Sequence, residues 1–186
     1  MNNNNNNFIN KEDLAKLKKE LNSFNMFIAE KKKSKVVLTE SILGKRFSQF
    51  VGEEAVEVGM DHYYLSNKDE NMFTLDVAPC CAIYVEKDLQ TFLMHISPIQ
   101  KVEDIINLLS CLSLSRNANV TVFPGPKCKT NGSNFDYLKL VEELKQLGND
   151  VDVNKPVGEY LNLFVFGRDL YIYEHNEFDD KLSKNK

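Results

Sequence analysis

Residues 74–98 read TLDVAPCCAIYVEKDLQTFLMHISP, and the fold turns on this stretch. Two short apolar runs, Cys81–Val85 and Thr91–Ile96, are rich in β-forming residues and flank the polar Glu86-Lys87-Asp88. They read as two antiparallel strands joined by a tight turn. Such a pairing brings His95, near the end of the second strand, toward Cys80 at the start of the first. A thiol beside an imidazole is the minimal apparatus of cysteine acyl transfer, because the histidine takes the thiol proton and the thiolate attacks a carbonyl carbon. Side chains alternate along a strand, so Cys81 is expected on the opposite face, in the core. A one-residue shift of this reading would exchange the two cysteines as nucleophile.

Upstream, Ala55–Met60 and Tyr63–Leu65 read as strands around the turn residues Gly59 and Asp61, and Met72–Val77 as a strand entering the cysteine pair. Downstream the period changes. Val102, Ile105, Ile106, Leu109 and Leu112 form one stripe of a helix over Lys101–Arg116, and Val120–Phe123 is a buried strand stopped by Pro124-Gly125-Pro126. Phe135–Leu147 reads as a second helix with Leu138, Val141 and Leu144 inward and Gly148 as its stop. Val151–Val153, Tyr160–Phe166 and Leu170–Tyr173 close the chain as strands, the last two around Gly167-Arg168-Asp169. Near the N-terminus, Leu14, Leu17, Leu21, Phe24 and Ile28 mark an amphipathic helix over Lys11–Lys33 capped by Asn10, its lysine-rich side read as a solvated face. Ser41–Phe50 reads as a short helix. The expected organisation is an Asn-rich disordered tail (1–10), a helical extension (11–54), one folded domain (55–175) and a charged tail (176–186).

A chain of 186 residues, 42% hydrophobic, holds enough apolar material for one core. The net charge of -4 gives no electrostatic reason to expect nucleic acid. Four cysteines without a C-x-x-C pair match no common zinc framework, so a site built from Cys80, Cys81, His95 and Cys128 is a minor alternative; no metal and no cofactor are expected. No run approaches the ~18 apolar residues of a membrane span, and the polyasparagine start is unlike a signal peptide. A cytoplasmic protein with reduced thiols and no membrane insertion is the expectation.

Val56-Glu57-Val58-Gly59-Met60, then Thr74 before Cys80, then His95 followed by Pro98, then a helix and Val122-Phe123-Pro124-Gly125-Pro126-Lys127, resemble the chemoreceptor glutamine deamidase (CheD) family over roughly residues 55–174. The chain is similar, more distantly, to the catalytic domains of the cytotoxic necrotizing factor toxins. The resemblance implies an α+β domain in which two packed mixed β-sheets are flanked by helices, a cysteine-hydrolase-like fold to which the N-terminal amphipathic helix is added. It also implies a Cys80–His95 catalytic pair with Thr74 positioning the histidine, and a protein-glutamine deamidase whose partner is a protein substrate carrying the target glutamine. Where the family writes a Gly-rich turn, this chain has Val77-Ala78-Pro79-Cys80. Ala78 does not easily take φ > 0 and Pro79 has no N–H, so an oxyanion hole must use the N–H of Cys80 and a donor elsewhere.

The chemistry expected of such a pair is thioester formation with loss of ammonia, then hydrolysis to glutamate; a neighbouring imidazolium in a partly dry site would lower the thiol pKa. Two alternatives stand beside it: a catalytically weak binding module of the same fold, and a cysteine hydrolase acting on a small amide or ester. His62 is the competing histidine, read as lying in a turn, and His175 lies in the tail. Cys111 reads as helix packing, and Cys128 follows the Pro-Gly-Pro loop.

Overall fold

The apolar runs around residues 81–96 pair as expected, and the rest of the chain is layered on them. The protein's structure, a computed structural model, describes residues 27–28, 33–35, 54–66, 70–128 and 135–175. The strands are β1 (Phe27–Ile28), β2 (Lys33–Lys35), β3 (Glu54–Glu57), β4 (His62–Ser66), β5 (Met72–Thr74), β6 (Cys81–Lys87), β7 (Gln90–Ile96), β8 (Asn119–Pro124), β9 (Asp150–Val153), β10 (Tyr160–Phe166) and β11 (Asp169–His175). The helices are α1 (Val102–Cys111) and α2 (Tyr137–Gln146).

Two mixed sheets result. The first has the order β1-β4-β7-β6-β8-β9 and the second β11-β10-β5-β3-β2. In the first, β6 is the central strand with antiparallel neighbours on both sides, β7 and β8. A strand covered on both faces cannot alternate apolar with polar, and β6 is buried at five consecutive positions from Cys81 to Val85. One face, carrying Cys81, Ile83, Val85, Phe92, Met94 and Ile96, packs under both helices. The other face, carrying Cys80, Ala82, Tyr84 and Leu93, packs on Val56, Val58, Met72, Leu161 and Leu163 of the second sheet. The layers are therefore helices, sheet, sheet, as the α+β reading with two packed mixed sheets anticipates.

Several boundaries move for local reasons. The β6–β7 turn is Asp88-Leu89 alone, since Lys87 pairs with Gln90 and Asp88 takes φ 53°. Helix α1 ends at Cys111 rather than Arg116, because Ser113 enters the left-handed region at φ 61° and Leu114 N–H turns back to the Leu109 carbonyl. In α2, Asp136 caps the start by accepting from Leu138 N–H at 2.9 Å, and Gly148 at φ 86° ends it. Leu138 is half-exposed; Leu140, not Leu138, belongs to the inner face with Val141 and Leu144. A Lys139–Glu103 ion pair ties the two helices at the surface.

The helix expected over Lys11–Lys33 falls mostly outside the described residues, as does the one over Ser41–Phe50. At the end of the former span the chain is extended instead: β1 runs parallel to β4 in the first sheet, and β2 antiparallel to β3 in the second. Among the described residues no helix is long and apolar enough to cross a membrane.

Candidate active site

Three sequence-predicted residues meet at one end of the space between the sheets. Ala82 lies opposite His95 in the β6–β7 ladder, so Cys80, two residues before Ala82, is His95's diagonal neighbour on the same face. Cys81 is opposite Ile96 on the other face, fully buried in the helix-side core. Cys80 and His95 both line a cleft of about 380 Å³, with Glu57, Val58, Gly59, Met60, Leu75, Asp76 and Pro79 completing its wall. Thr74, the last residue of β5 in the second sheet, reaches across to the first: its Oγ1 is 2.8 Å from His95 Nδ1.

That hydrogen bond orients the ring. In the tautomer whose Nδ1–H donates to Thr74 Oγ1, the lone pair of Nε2 is left as the free base; in the other, Thr74 O–H donates to Nδ1 and Nε2 carries the proton. His95 is 5% exposed, and its Nε2 is buried without a hydrogen-bond partner among the described residues. An unpartnered polar atom in a buried position costs about 1–3 kcal/mol, a cost that Tyr63 Oη and Thr91 Oγ1 also carry. Cys80 and His95 share the cleft without a hydrogen bond between Sγ and Nε2.

Burial, not pairing, sets the protonation of the pair. It is the main cause that brings His95 down to about 4, against an opposing pull from Asp61. Burial, then the Asp61 and Cys128 charges, pushes the Cys80 thiol up to about 11. The resting pair is thus a neutral thiol and a neutral imidazole, and the lowered thiol pKa expected from sequence is reversed. The reason is depth: both groups lie in the packed layer between sheets, where either charge loses its hydration.

The Val77-Ala78-Pro79-Cys80 turn avoids the strain foreseen for Ala78. The left-handed residue is Asp76, at φ 57°, which Asp tolerates better than most. Its N–H is held by the buried Asn162 Oδ1 at 2.8 Å, and Ala78 N–H closes back on the Asp76 carbonyl at 2.8 Å. The Pro-Gly-Pro loop clamps the same turn from the other side: Gly125 N–H donates to the Cys80 carbonyl and Lys127 N–H to the Ala78 carbonyl, each at 2.9 Å. Gly125 is required there by close approach, since a Cβ would sit 2.4 Å from the Ala78 oxygen. Among the described residues the Cys80 N–H donates to no backbone carbonyl, nor do the N–H groups of Gly59 and Met60 across the cleft. Those are the candidate oxyanion donors.

Sequence reasoning placed His62 in a turn, but it opens β4 directly opposite His95, with its Nδ1 2.8 Å from the Met60 carbonyl. His175 closes β11 opposite Tyr160. Cys111 and Cys128 are half-buried against the helix-side core. With Cys81 on the far face, the four-ligand zinc alternative does not assemble, and no cluster of three or more His, Cys, Asp or Glu suited to a metal occurs among the described residues.

Three residues were not singled out as functional. Asn162 lay inside an apolar strand pattern, where a lone buried amide is the signal. Asp61 was read only as turn chemistry; it takes φ 59°, donates its N–H to the His95 carbonyl, and accepts from both Ser97 N–H and Ser97 Oγ. Ser97 carried no sequence signal. No protein-family model matches the chain, and no curated protein matches it either.

Proposed function

We propose that the protein is a cysteine amidohydrolase that deamidates a glutamine side chain of a protein substrate, with Cys80 as nucleophile, His95 as acid–base and Thr74 as the residue that orients it. The observation that carries this reading is the buried, unpartnered His95 Nε2 lining the same cleft as Cys80, with Nδ1 tied to the opposite sheet by Thr74. Tyr63 Oη and Thr91 Oγ1 are likewise buried without a partner among the described residues, and what distinguishes His95 is its place on the cleft beside Cys80 together with the Thr74 hydrogen bond.

From a neutral resting pair, the thiol proton passes to Nε2 as Sγ bonds to the carboxamide carbon, so neither a free thiolate nor a standing imidazolium is needed beforehand. The oxyanion is held by the Cys80 N–H and by the Gly59–Met60 segment. His95 returns the proton to the departing nitrogen, the C–N bond breaks, and ammonia leaves a thioester on Cys80. Water then loses a proton to Nε2 while its oxygen attacks the thioester carbon, the C–S bond breaks, and Nε2 returns the proton to Sγ, which restores the thiol and releases the glutamate side chain.

The cleft favours a protein substrate over a small amide. Met60 is 57% exposed at its wall, and Glu57 and Asp76 are exposed beside it, so the site is reachable by a side chain projecting from a surface rather than enclosing a free ligand. Four free cysteines suit a reducing cytoplasm.

The test is deamidation of a glutamine-containing protein and peptide panel, read by mass spectrometry, with wild type, Cys80→Ala and His95→Ala. Deamidation by wild type that both variants lose supports the reading. Deamidation that survives Cys80→Ala overturns it, and a wild type inactive on the whole panel leaves the binding module as the better account.

A further inference from the structure

The proposed reaction asks a buried imidazole to become transiently cationic, yet Thr74 offers only a neutral hydroxyl. A charged residue is bonded to the histidine's own stretch of backbone. Asp61 adopts a left-handed conformation unusual for a residue with a side chain (φ 59°), and in that conformation its N–H meets the carbonyl of His95 at 2.8 Å. Its carboxylate is fixed two residues beyond His95, just past the end of β7, accepting from Ser97 N–H at 3.0 Å and from Ser97 Oγ at 2.9 Å. Ser97 is itself 4% exposed, so the latch lies within the packed end of β7.

We propose that Asp61 is the second positioning residue of the Cys80–His95 pair: its main chain and the Ser97 latch pin the histidine-bearing end of β7, and its carboxylate supplies the fixed negative charge beside the imidazole. Thr74 thus orients the ring from the second sheet, while Asp61 holds the backbone beneath it from the first. The charge acts in the direction of making His95 a stronger base, opposing burial and the neighbouring His62, and it adds to burial in raising the Cys80 thiol. The titratable groups surrounding the pair are Asp61 and His62 at the start of β4, Cys128 behind the nucleophile turn, and Glu57 and Asp76 along the cleft.

The catalytic part of this inference rests on the deamidase reading; its electrostatic part does not, and the experiment separates them. Asp61→Asn keeps an acceptor for Ser97 and tolerates the left-handed conformation, so it removes the charge with little change of shape. The readouts are the His95 ring titration by NMR and the pH dependence of Cys80 alkylation by iodoacetamide, compared in wild type, Asp61→Asn and Ser97→Ala. In Asp61→Asn the His95 midpoint should fall further below that of wild type, and the Cys80 midpoint should fall from about 11. Ser97→Ala, which keeps the charge, should move both less. Where wild type deamidates, Asp61→Asn should be about tenfold slower, with the acid limb of its pH profile displaced to lower pH, because a weaker base transfers the proton less well. Unchanged His95 and Cys80 midpoints in Asp61→Asn would overturn the inference whatever the activity. Shifted midpoints in a protein that deamidates nothing would uphold the charge coupling and sink the deamidase reading instead.

Discussion

Substituting Gly125 by alanine tests whether the Pro-Gly-Pro loop holds the nucleophile turn. A Cβ at this position would lie 2.4 Å from the Ala78 oxygen, 2.5 Å from the Val77 oxygen and 2.8 Å from the Cys80 oxygen, all main-chain atoms that cannot rotate aside. Ordinary contact begins at 3.4 Å, so loop and turn must part by about an ångström. Overpacking of this kind costs about 1–3 kcal/mol, and the Gly125–Cys80 and Lys127–Ala78 hydrogen bonds stretched by it contribute roughly 0.5–1.5 kcal/mol each. The expected loss is about 2–6 kcal/mol, a fall in urea midpoint of roughly 1–3 M at a slope of about 2 kcal/mol/M. It should come with faster alkylation of Cys80, as the turn lifts from its packing. Gly167→Ala is the control: Gly167 has φ 61° but nothing within 4 Å, so only conformational strain of about 1 kcal/mol is expected. A Gly125→Ala protein within about 0.5 kcal/mol of wild type, the range of a neutral surface change, would refute the clamp.

Thr74→Val should leave His95 Nδ1 buried without its partner, lowering stability by about 1–3 kcal/mol and deamidation at least tenfold, out of the roughly 10²–10⁴ that a positioned base supplies; Thr74→Ser should restore most of both. In the folded protein His95 is depressed to about 4 from 6.5, so the unfolded chain binds the extra proton between those values. Stability from this group is present above pH 6.5 and is lost as pH falls toward 4, by on the order of 3 kcal/mol; urea midpoints against pH should show this window in wild type and lack it in His95→Gln. Cys80, raised from 9.0 to about 11, gives the opposite sign, with stability lost as pH climbs through that range, and Cys80→Ala should flatten the alkaline limb. Cys81→Ala should cost about 1 kcal/mol for a small core cavity and leave activity within twofold, since Cys81 faces the helices; loss of activity there would exchange the two cysteines.

The strands were legible wherever one face or both are buried in a local pattern. Cys81–Val85 and Thr91–Ile96 are apolar enough to pair, and with their register the alternation that separates Cys80 from Cys81 follows. Thr74 was singled out only through its place in the family resemblance, because its partner lies in the other sheet and no local spacing encodes that contact. The order of strands and the parallel placement of β1 and β9 are non-local in the same sense. The electrostatics were not legible at all. Adjacency of thiol and imidazole suggests an ion pair, but the depth at which the sheets bury both groups decides for neutral forms. Likewise Asp61 looks in sequence like any turn residue, and only its bonds to His95 and Ser97 separate it from one.

The most direct measurement of the central claim is to catch the acyl-enzyme. A deamidated peptide's glutamine form is mixed with the protein, quenched in acid within the first turnovers, and the protein digested for peptide mass mapping, with a parallel reaction in hydroxylamine. The account predicts a thioester adduct on Cys80 and none on Cys81, Cys111 or Cys128, with hydroxylamine diverting the product to the hydroxamate. Continued deamidation with no adduct and no hydroxamate, or an adduct on a different cysteine, would contradict it.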